Sequence, residues 1–200
     1  MKKPLGRTLL EVVVASAILL LVTGYMVQIM ISSQRRLQRF EKLIEMEEHA
    51  IKALSQISVD LTETHPTAIE TQGPKFVVFP SARQLSGQFA LSPQGELMWS
   101  SVIGYRGEGM GTESKLIRQV EAIPVSPGEA PNPLDLTPPL DLAYFEAGSG
   151  QKRLMARGFE SLTLSSPSAD GVIEVTLHLS VELRRGPQGL RLSNSIKPGN

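Results

Sequence analysis

A long stretch without charge lies near the N-terminus of this chain of 200 residues. From Val12 to Gln34 the sequence contains no Asp, Glu, Lys or Arg. A helix over this stretch rises about 1.5 Å per residue and would be roughly 34 Å long, whereas the hydrocarbon core of a bilayer is about 30 Å thick. The stretch is apolar on all sides, and such a helix needs lipid or other apolar helices around it. The sequence therefore predicts one membrane-spanning segment.

The charges that flank this stretch bear on its orientation. Lys2, Lys3 and Arg7 precede it, and positive charge on that side favours a cytoplasmic N-terminus. Arg35 and Arg36 follow it, so the charge bias by itself leaves the orientation open. No small-residue cleavage site follows the stretch, which argues against an ordinary secretory signal and favours an anchor.

The overall composition excludes several classes of protein. Lys and Arg together number 20 and so do Asp and Glu, whereas a protein that wraps a polyanion needs many uncompensated cations. The absence of Cys excludes disulfide scaffolds, Cys-ligated zinc and iron–sulfur clusters. Aromatic residues make up only 5%, too few for an evident base-stacking platform, so we predict no nucleic-acid partner. Two basic clusters are considered as nucleic-acid contacts. The first is Arg35, Arg36, Arg39 and Lys42, and the second is Arg184, Arg185 and Arg191.

Glu11 stands immediately before the uncharged stretch, and Gly6 lies a short distance ahead of it. A carboxylate at the edge of an apolar membrane helix is costly and normally has a partner. If the chain were cut after Gly6, Arg7 would carry a new amino terminus one helical turn from Glu11. An ammonium group of the same chain or of a neighbouring subunit would then neutralise the carboxylate.

These residues resemble a known family. Lys2 to Gly6, followed by Thr8 to Ala15, resembles the class III leader and methylation motif of type IV pilins and type II secretion pseudopilins. The resemblance implies that a membrane prepilin peptidase cleaves between Gly6 and Arg7 and methylates the new N-terminus at Arg7. It also implies that Glu11 sets the register of an incoming subunit in a filament. The first mature residue of the family is usually Phe, so Arg7 departs from the pattern at the position that would be methylated.

Apolar residues continue beyond the uncharged stretch at helical spacing, with charged residues between them. Pro66 then ends the pattern, because the residue before a proline avoids the helical region. We therefore predict one continuous helix from about Leu9 to Thr64. The apolar stripe predicted to face a sheet consists of Leu37, Phe40, Leu43, Ile44, Ile51, Leu54, Ile57 and Leu61.

From Thr67 onward Gly and Pro become frequent and the apolar period falls towards two, which is typical of strands. The clearest strand is Val172–Leu183, and a turn at 185–189 would return the chain as Leu190–Ile196. Residues 121–142 are rich in proline and are predicted to be an irregular surface excursion rather than a folded unit. The remaining predicted strands are Phe76–Phe79, Glu96–Trp99, Val102–Tyr105, Leu116–Val120 and Phe159–Leu164.

The predicted fold class is α+β, with a long N-terminal helix packed on an antiparallel sheet in the manner of pilins. We expect a leader peptide at 1–6, a transmembrane and assembly helix half at 7–34, an amphipathic helix half at 35–65 and a periplasmic β-domain at 66–200. The family resemblance places the chain in the inner membrane with a cytoplasmic N-terminus, and afterwards in a periplasmic pseudopilus or a cell-surface pilus.

Further stretches resemble a particular branch of the family. Leu54 to Leu61, Tyr105-Arg106 and Leu116 to Arg118 are similar to elements of the GspJ- and PilW-type minor subunits. The resemblance implies a minor pseudopilin of a type II secretion system, or alternatively a minor pilin of a type IV pilus. Its partners would be the prepilin peptidase, membrane lipid before assembly, and other major and minor subunits. A third hypothesis is an unprocessed membrane-anchored periplasmic binding domain.

No residue pattern indicates catalysis. None of the histidines, His49, His65 and His178, accompanies a nucleophile motif, and each is most simply interpreted as a surface residue. The glycine-rich run 104–111 has no following Gly-Lys-Ser/Thr and is predicted to be a hairpin loop. Asp135 and Asp141 do not have the spacing of an EF-hand, although a calcium site in the loops stays open. We predict no enzyme activity, no cofactor, no catalytic residue and no metal ligand.

Overall fold

The computed structural model describes residues 9–127, 130–148, 150–183 and 186–198. Two compact units are distinguished along the chain, residues 1–43 and residues 44–200. Helix α1 spans Leu9–Thr62, so the predicted continuous helix is confirmed to within two residues at its C-terminal end. The chain leaves the helix at a single 3-10 turn, Pro66–Ala68, in which Pro66 occupies the first turn as its missing N–H allows.

The second unit contains two antiparallel sheets. The larger sheet has five strands in sequential order, β1 to β5, and the smaller one has three, β6 to β8. A short helix, α2, spans Leu142–Ala147 between β4 and β5. The strands are β1 Glu70–Thr71, β2 Phe76–Ser81, β3 Met98–Glu108, β4 Lys115–Pro127, β5 Gln151–Arg157, β6 Phe159–Leu164, β7 Ile173–Leu183 and β8 Gly186–Ile196.

The chain passes from the larger sheet to the smaller one at Gly158. This residue has φ +70°, a backbone conformation that favours glycine, and the backbone of Ser180 on β7 lies directly against its α-carbon. The Gly158 N–H donates to the carbonyl of Ser114 at 2.7 Å, and the Gly158 carbonyl accepts from the N–H of Ser180 at 2.6 Å. These bonds join the two sheets where no side chain fits.

The C-terminal part of α1 packs on the sheets, which confirms the α+β arrangement of a long helix on antiparallel strands. Ala50 and Ala53 on the buried side of the helix are almost fully buried, and side chains this small let the helix approach closely. The facing strands contribute large buried residues such as Phe79, Ile103 and Leu177. The buried residues of α1 are Met46, Ala50, Ala53, Leu54, Ile57, Asp60 and Leu61.

The predicted apolar stripe of the helix is only partly correct. Leu54, Ile57 and Leu61 are buried as expected, whereas Ile44 and Ile51 are 63% and 54% exposed. Leu37 and Phe40 are exposed as well, at 59% and 61%. The sequence carries apolar residues on two sides of the helix at overlapping helical spacings. The side that packs on the sheets is the one that also carries the small residues, and hydrophobicity alone did not distinguish it.

The prediction that 121–142 is irregular is wrong for much of that range. Strand β4 continues to Pro127, and Leu140 together with Phe145 of α2 forms a second core with Phe76, Val78 and Val102. Phe145 lies so close to β3 that a Cβ at Gly104 would be 2.5 Å from its ring. The proline-rich segment therefore leads into a cap that covers the face of the sheet opposite α1.

Other strand boundaries also differ from the predictions. The strands predicted at 96–99 and 102–105 are one strand, β3, which continues to Glu108. The predicted turn at 185–189 is wrong because Gly186–Gly189 belong to β8, where Gly186 pairs with Leu183; Arg185 lies outside the described residues. Strands β1 and β5 and helix α2 were not predicted.

Candidate functional site

The N-terminal part of α1 presents an apolar surface that nothing in the described protein covers. This helix is long and apolar enough to span a membrane, and none of its most apolar 18-residue window is buried. A core helix of a soluble protein would bury such residues, because each exposed Leu or Ile forgoes about 1.5–3 kcal/mol of hydrophobic stabilisation. The exposed side chains include Leu19, Leu20, Leu21 and Met26. This surface is therefore compatible with an apolar environment outside the chain.

Three hydroxyl side chains within this apolar surface bond to the helix itself. The hydroxyl groups of Ser16, Thr23 and Ser32 donate to backbone carbonyls three or four residues earlier, at 2.7–2.8 Å. These bonds satisfy the donors without water, as a hydrocarbon environment demands. The helix also continues through Gly24, where an added Cβ would meet no side chain and no other part of the described chain within 4 Å. The surface is thus compatible with lipid and with close approach of another helix.

Glu11 lies in the first turn of α1, directly before the apolar surface, and its residue is exposed. The predicted register residue therefore lies at the N-terminal end of the uncharged part of α1. Gly6 and Arg7, predicted as the two sides of a cleavage site, lie outside the described residues, which begin at Leu9.

At the other end of α1, a buried carboxylate joins the helix to the larger sheet. Asp60 is 3% exposed and accepts from the Tyr105 hydroxyl at 2.5 Å and from the Arg118 Nε at 2.6 Å. Its other oxygen accepts from Arg118 Nη2 at 3.2 Å and from Gln56 Nε2 at 2.9 Å. Tyr105 and Arg118 are directly paired across β3 and β4, so both reach the same face of the sheet. We call these four residues the Asp60 cluster.

The surroundings of the Asp60 cluster raise the pKa of both ionisable donors, Tyr105 and Arg118. Burial, reinforced by the charge of Asp60 and the hydrogen bond to it, raises the pKa of Tyr105 well above its ordinary value. For Arg118, burial opposes the charged form, but the hydrogen bond and charge of Asp60 outweigh it and raise the pKa. A neutral phenol and a guanidinium therefore share one carboxylate.

Two more contacts tie the end of α1 to the rest of the second unit. Glu63 accepts two hydrogen bonds from Arg83, each 2.6 Å long, and the same guanidinium donates to the Gly87 carbonyl and lies 4.3 Å above the Phe89 ring. The hydrogen bond with Glu63 raises the pKa of Arg83. On the smaller sheet, Asn194 Nδ2 donates to Ser58 Oγ at 2.9 Å. The helix end is therefore bonded to both sheets.

Asp60, Tyr105 and Arg118 lie in the stretches that resemble minor pilin subunits. No role was predicted for them, because nothing in the local pattern shows that residues so far apart in sequence meet. The one available signal was Asp60 itself. It is a carboxylate at a buried helical position, and a buried charge requires a partner.

The other candidate residues are dispersed. His65 caps the turn after α1 by accepting from Thr67, whereas His49 lies on α1 and His178 on β7. Asp141 caps α2, Asp135 lies in a 3-10 turn, and most of the glycine-rich run 104–111 belongs to β3. Among the described residues no group of three or more His, Cys, Asp and Glu is placed to hold a metal ion.

The basic clusters lie on different elements. Arg35, Arg36 and Lys42 are exposed on α1 and Arg39 is half-buried, while Arg191 lies on β8. Arg184 and Arg185 lie outside the described residues.

Comparisons with protein-family models, with characterised proteins and with solved structures found no match to this chain.

The first prediction concerns the Asp60 cluster as the anchor of α1. Asp60→Ala should lower the free energy of unfolding by about 3–5 kcal/mol, because it leaves the buried Tyr105 hydroxyl and the partly buried Arg118 guanidinium without their shared acceptor. Urea unfolding of the full chain in detergent, followed through the fluorescence of the only tryptophan, Trp99, measures this change. Glu48→Ala breaks the exposed ion pair with Lys52 and should leave the transition unchanged. Equal midpoints for the two variants would show that the cluster does not anchor the helix.

The second prediction concerns pH. The unfolded chain releases tyrosine protons near pH 10, whereas the raised pKa keeps Tyr105 protonated in the fold. The folded state then binds more protons than the unfolded state, so the free energy of unfolding should fall as pH rises above about 10. Tyr105→Phe should reduce this fall, and should cost about 1.5–3 kcal/mol at neutral pH through the lost hydrogen bond. Tyr144→Phe, on α2, is the control, and a Tyr105→Phe protein with an unchanged alkaline slope would contradict the prediction.

Proposed function

We propose that this protein is a non-catalytic filament subunit of the pilin type, a minor pseudopilin that is assembled into or at the tip of a type II secretion pseudopilus. The observation that carries this proposal is the apolar surface of α1, which begins immediately after Glu11 and is wholly exposed. In the same helix the C-terminal residues are buried against antiparallel sheets. One helix thus combines a segment that needs an external apolar environment with a segment that holds a folded domain.

The proposal gives that apolar surface two successive environments. Before assembly the segment lies in the inner membrane, with the β-domain in the periplasm. During assembly it moves from lipid into a bundle of equivalent helices from other subunits. Because lipid tails and apolar side chains are similarly hydrophobic, this transfer has little hydrophobic driving force, and packing and polar contacts must determine the register. Glu11 is the group suited to that role, since a carboxylate at the edge of the bundle gains most from a fixed cationic partner.

The cationic partner in this proposal is a new amino terminus. A prepilin peptidase would cleave between Gly6 and Arg7, and Arg7 would then carry the ammonium group of its own subunit, with or without methylation. The chain that enters the filament would lack Lys2 and Lys3, which flank the membrane segment in the precursor. Their removal lowers the positive charge that holds the N-terminus on the cytoplasmic side.

A minor pilin of a type IV pilus is the second candidate, because the leader, Glu11 and the helix on antiparallel sheets fit both systems. The genes next to this one distinguish the two. A secretion ATPase and an outer-membrane secretin without a retraction ATPase indicate a pseudopilus, whereas a retraction ATPase and a major pilin indicate a pilus. The third hypothesis, an unprocessed membrane-anchored binding domain, differs from both in retaining residues 1–6.

The third prediction therefore tests processing. Gly6→Leu should block cleavage, because a peptidase that requires a small residue before the cut cannot accommodate the larger side chain. Intact-mass spectrometry of protein from cells with a prepilin peptidase should give the full-length mass for this variant. The unchanged chain and a Gly24→Ala control should instead lack the mass of residues 1–6. A full-length mass for the unchanged chain would favour the unprocessed anchor.

The fourth prediction tests the register role of Glu11. Glu11→Leu should be cleaved and retained in the membrane normally but should be reduced at least tenfold in sheared filament fractions, since the carboxylate that pairs on entry is missing. Glu45→Leu, which removes an exposed carboxylate further along α1, should leave assembly intact. Immunoblots of membrane and sheared fractions measure both. Normal assembly of Glu11→Leu would remove the basis for the register role without affecting the processing result.

A further inference from the structure

A groove of about 650 Å³ lies in the second unit between α1 and strand β5. On the helix side it is lined by residues one turn apart, among them His49, Lys52 and Val59. On the sheet side it is lined by five consecutive residues of β5, 153–157. Successive side chains of a strand point to opposite faces, so a pocket that touches five in a row follows the edge of the strand rather than one face. We call it the β5 groove.

Strand β5 is the last strand of the larger sheet. It pairs with β4 from Lys115 to Val120, and within the described residues no strand pairs with its other side. An edge strand of this kind presents a row of backbone N–H and C=O groups that can bind another extended chain. The β5 groove lies along that row, so its walls would hold such a chain against the edge.

The charges that line the β5 groove have one sign. Lys52, Arg153 and Arg157 line it together with His49, and no Asp or Glu does, although the chain as a whole is balanced in charge. Lys52 is already paired with Glu48 at 2.5 Å, whereas within the described residues neither Arg153 nor Arg157 forms an ion pair with a carboxylate. Cations on an edge strand discourage pairing with a second copy of the same edge, because like charges would then face each other. The same cations favour an acidic partner.

Apolar side chains in the β5 groove complete its chemistry. Ile51 and Val59 of α1 are 54% and 47% exposed, and Leu154 of β5 is 45% exposed. These residues offer apolar contact between the cationic positions. A strand whose side chains alternate between carboxylates and apolar groups matches this arrangement of charge and hydrophobicity.

We propose that the β5 groove binds an extended, acidic segment of a partner protein, which adds to β5 as a sixth strand of the larger sheet. Its backbone pairs with the free edge of β5, its carboxylates on the side that faces α1 meet Arg153, and its apolar side chains on the opposite side contact Leu154. This inference rests on the β-domain and goes beyond the proposed function, because it does not depend on processing, on Glu11 or on filament assembly.

Binding of designed peptides to the full chain in a zwitterionic detergent tests the proposal. The probe is a fluorescein-labelled eight-residue peptide in which Val and Glu alternate, and fluorescence anisotropy measures its affinity. Two matched peptides separate the contributions: one replaces every Glu by Lys, and the other retains Glu but is N-methylated at the amides of one edge. We expect saturable binding of the first peptide and at least about tenfold weaker binding of both others, because each loses one class of contact.

A pair of protein variants locates the binding. Arg153→Glu should weaken binding of the Val/Glu peptide at least about tenfold, since it places a carboxylate against carboxylates in the groove. Lys152→Glu makes the same charge change on the neighbouring residue of β5, which does not line the groove, and should leave the affinity within about twofold. Unchanged Trp99 unfolding curves establish that both variants are folded.

Several outcomes would overturn the proposal. Equal weakening by Arg153→Glu and Lys152→Glu would show attraction to net charge rather than a groove. Undiminished binding of the N-methylated peptide would show that no strand is added. Tighter binding of an acidic helical peptide of equal charge would identify a helix as the occupant. If the protein instead binds anionic phospholipid vesicles in preference to neutral ones, Arg153→Glu weakens that binding, and no peptide binds, the partner is a membrane surface.

Discussion

The carboxylate of Asp60 holds the helix and the larger sheet of this protein in one arrangement. It is almost completely buried, and its partners come from the previous turn of α1, from β3 and from β4. An ion pair in such a place contributes little net stability, because removing both charges from water costs about as much as their attraction returns. Its effect on specificity is larger. Sliding α1 by one turn along the sheet would leave the buried Tyr105 hydroxyl and the partly buried Arg118 without their acceptor, whereas a purely apolar contact would tolerate the shift. The cluster therefore fixes the position of the helix along the strands.

The hydrophobic pattern of α1 was sufficient to predict the helix but not its buried side. Apolar residues at helical spacing predicted one continuous helix, and the structure ends it at Thr62, close to the expected limit. Ile44 and Ile51 satisfy the same spacing as Leu54 and Ile57, yet only the latter two are buried. What distinguishes the buried side is Ala50 and Ala53, whose small side chains permit close packing. Hydrophobicity scales give such residues little weight, so periodicity alone selected a mixture of both sides.

The strands show the same division between local and long-range information. Alternation along β7 is strong, and the structure has a strand there from Ile173 to Leu183. Strand β5 begins Gln151-Lys152-Arg153 and has no such alternation, because an edge strand with exposed faces is under little pressure to bury alternate residues. The cap formed by α2 was missed because it depends on Phe145 meeting Gly104, two residues whose proximity only the fold determines. The Asp60 cluster and the β5 groove depend on equally distant residues, and for that reason the candidate site was less predictable than the elements that carry it.

The exposed apolar residues of α1 in the second unit are arranged differently from those of the N-terminal apolar surface. In the uncharged part of α1 exposure is nearly uniform around the helix, as expected where lipid or other helices can surround it. Between Ile44 and Val59 only one side is exposed and apolar, and it is bordered by the cations of the β5 groove. A uniform apolar surface suits many equivalent neighbours, whereas a one-sided, charged groove suits a single partner in a single orientation. The chain therefore carries two chemically different surfaces on one helix, and a change that abolishes binding at one need not affect the other.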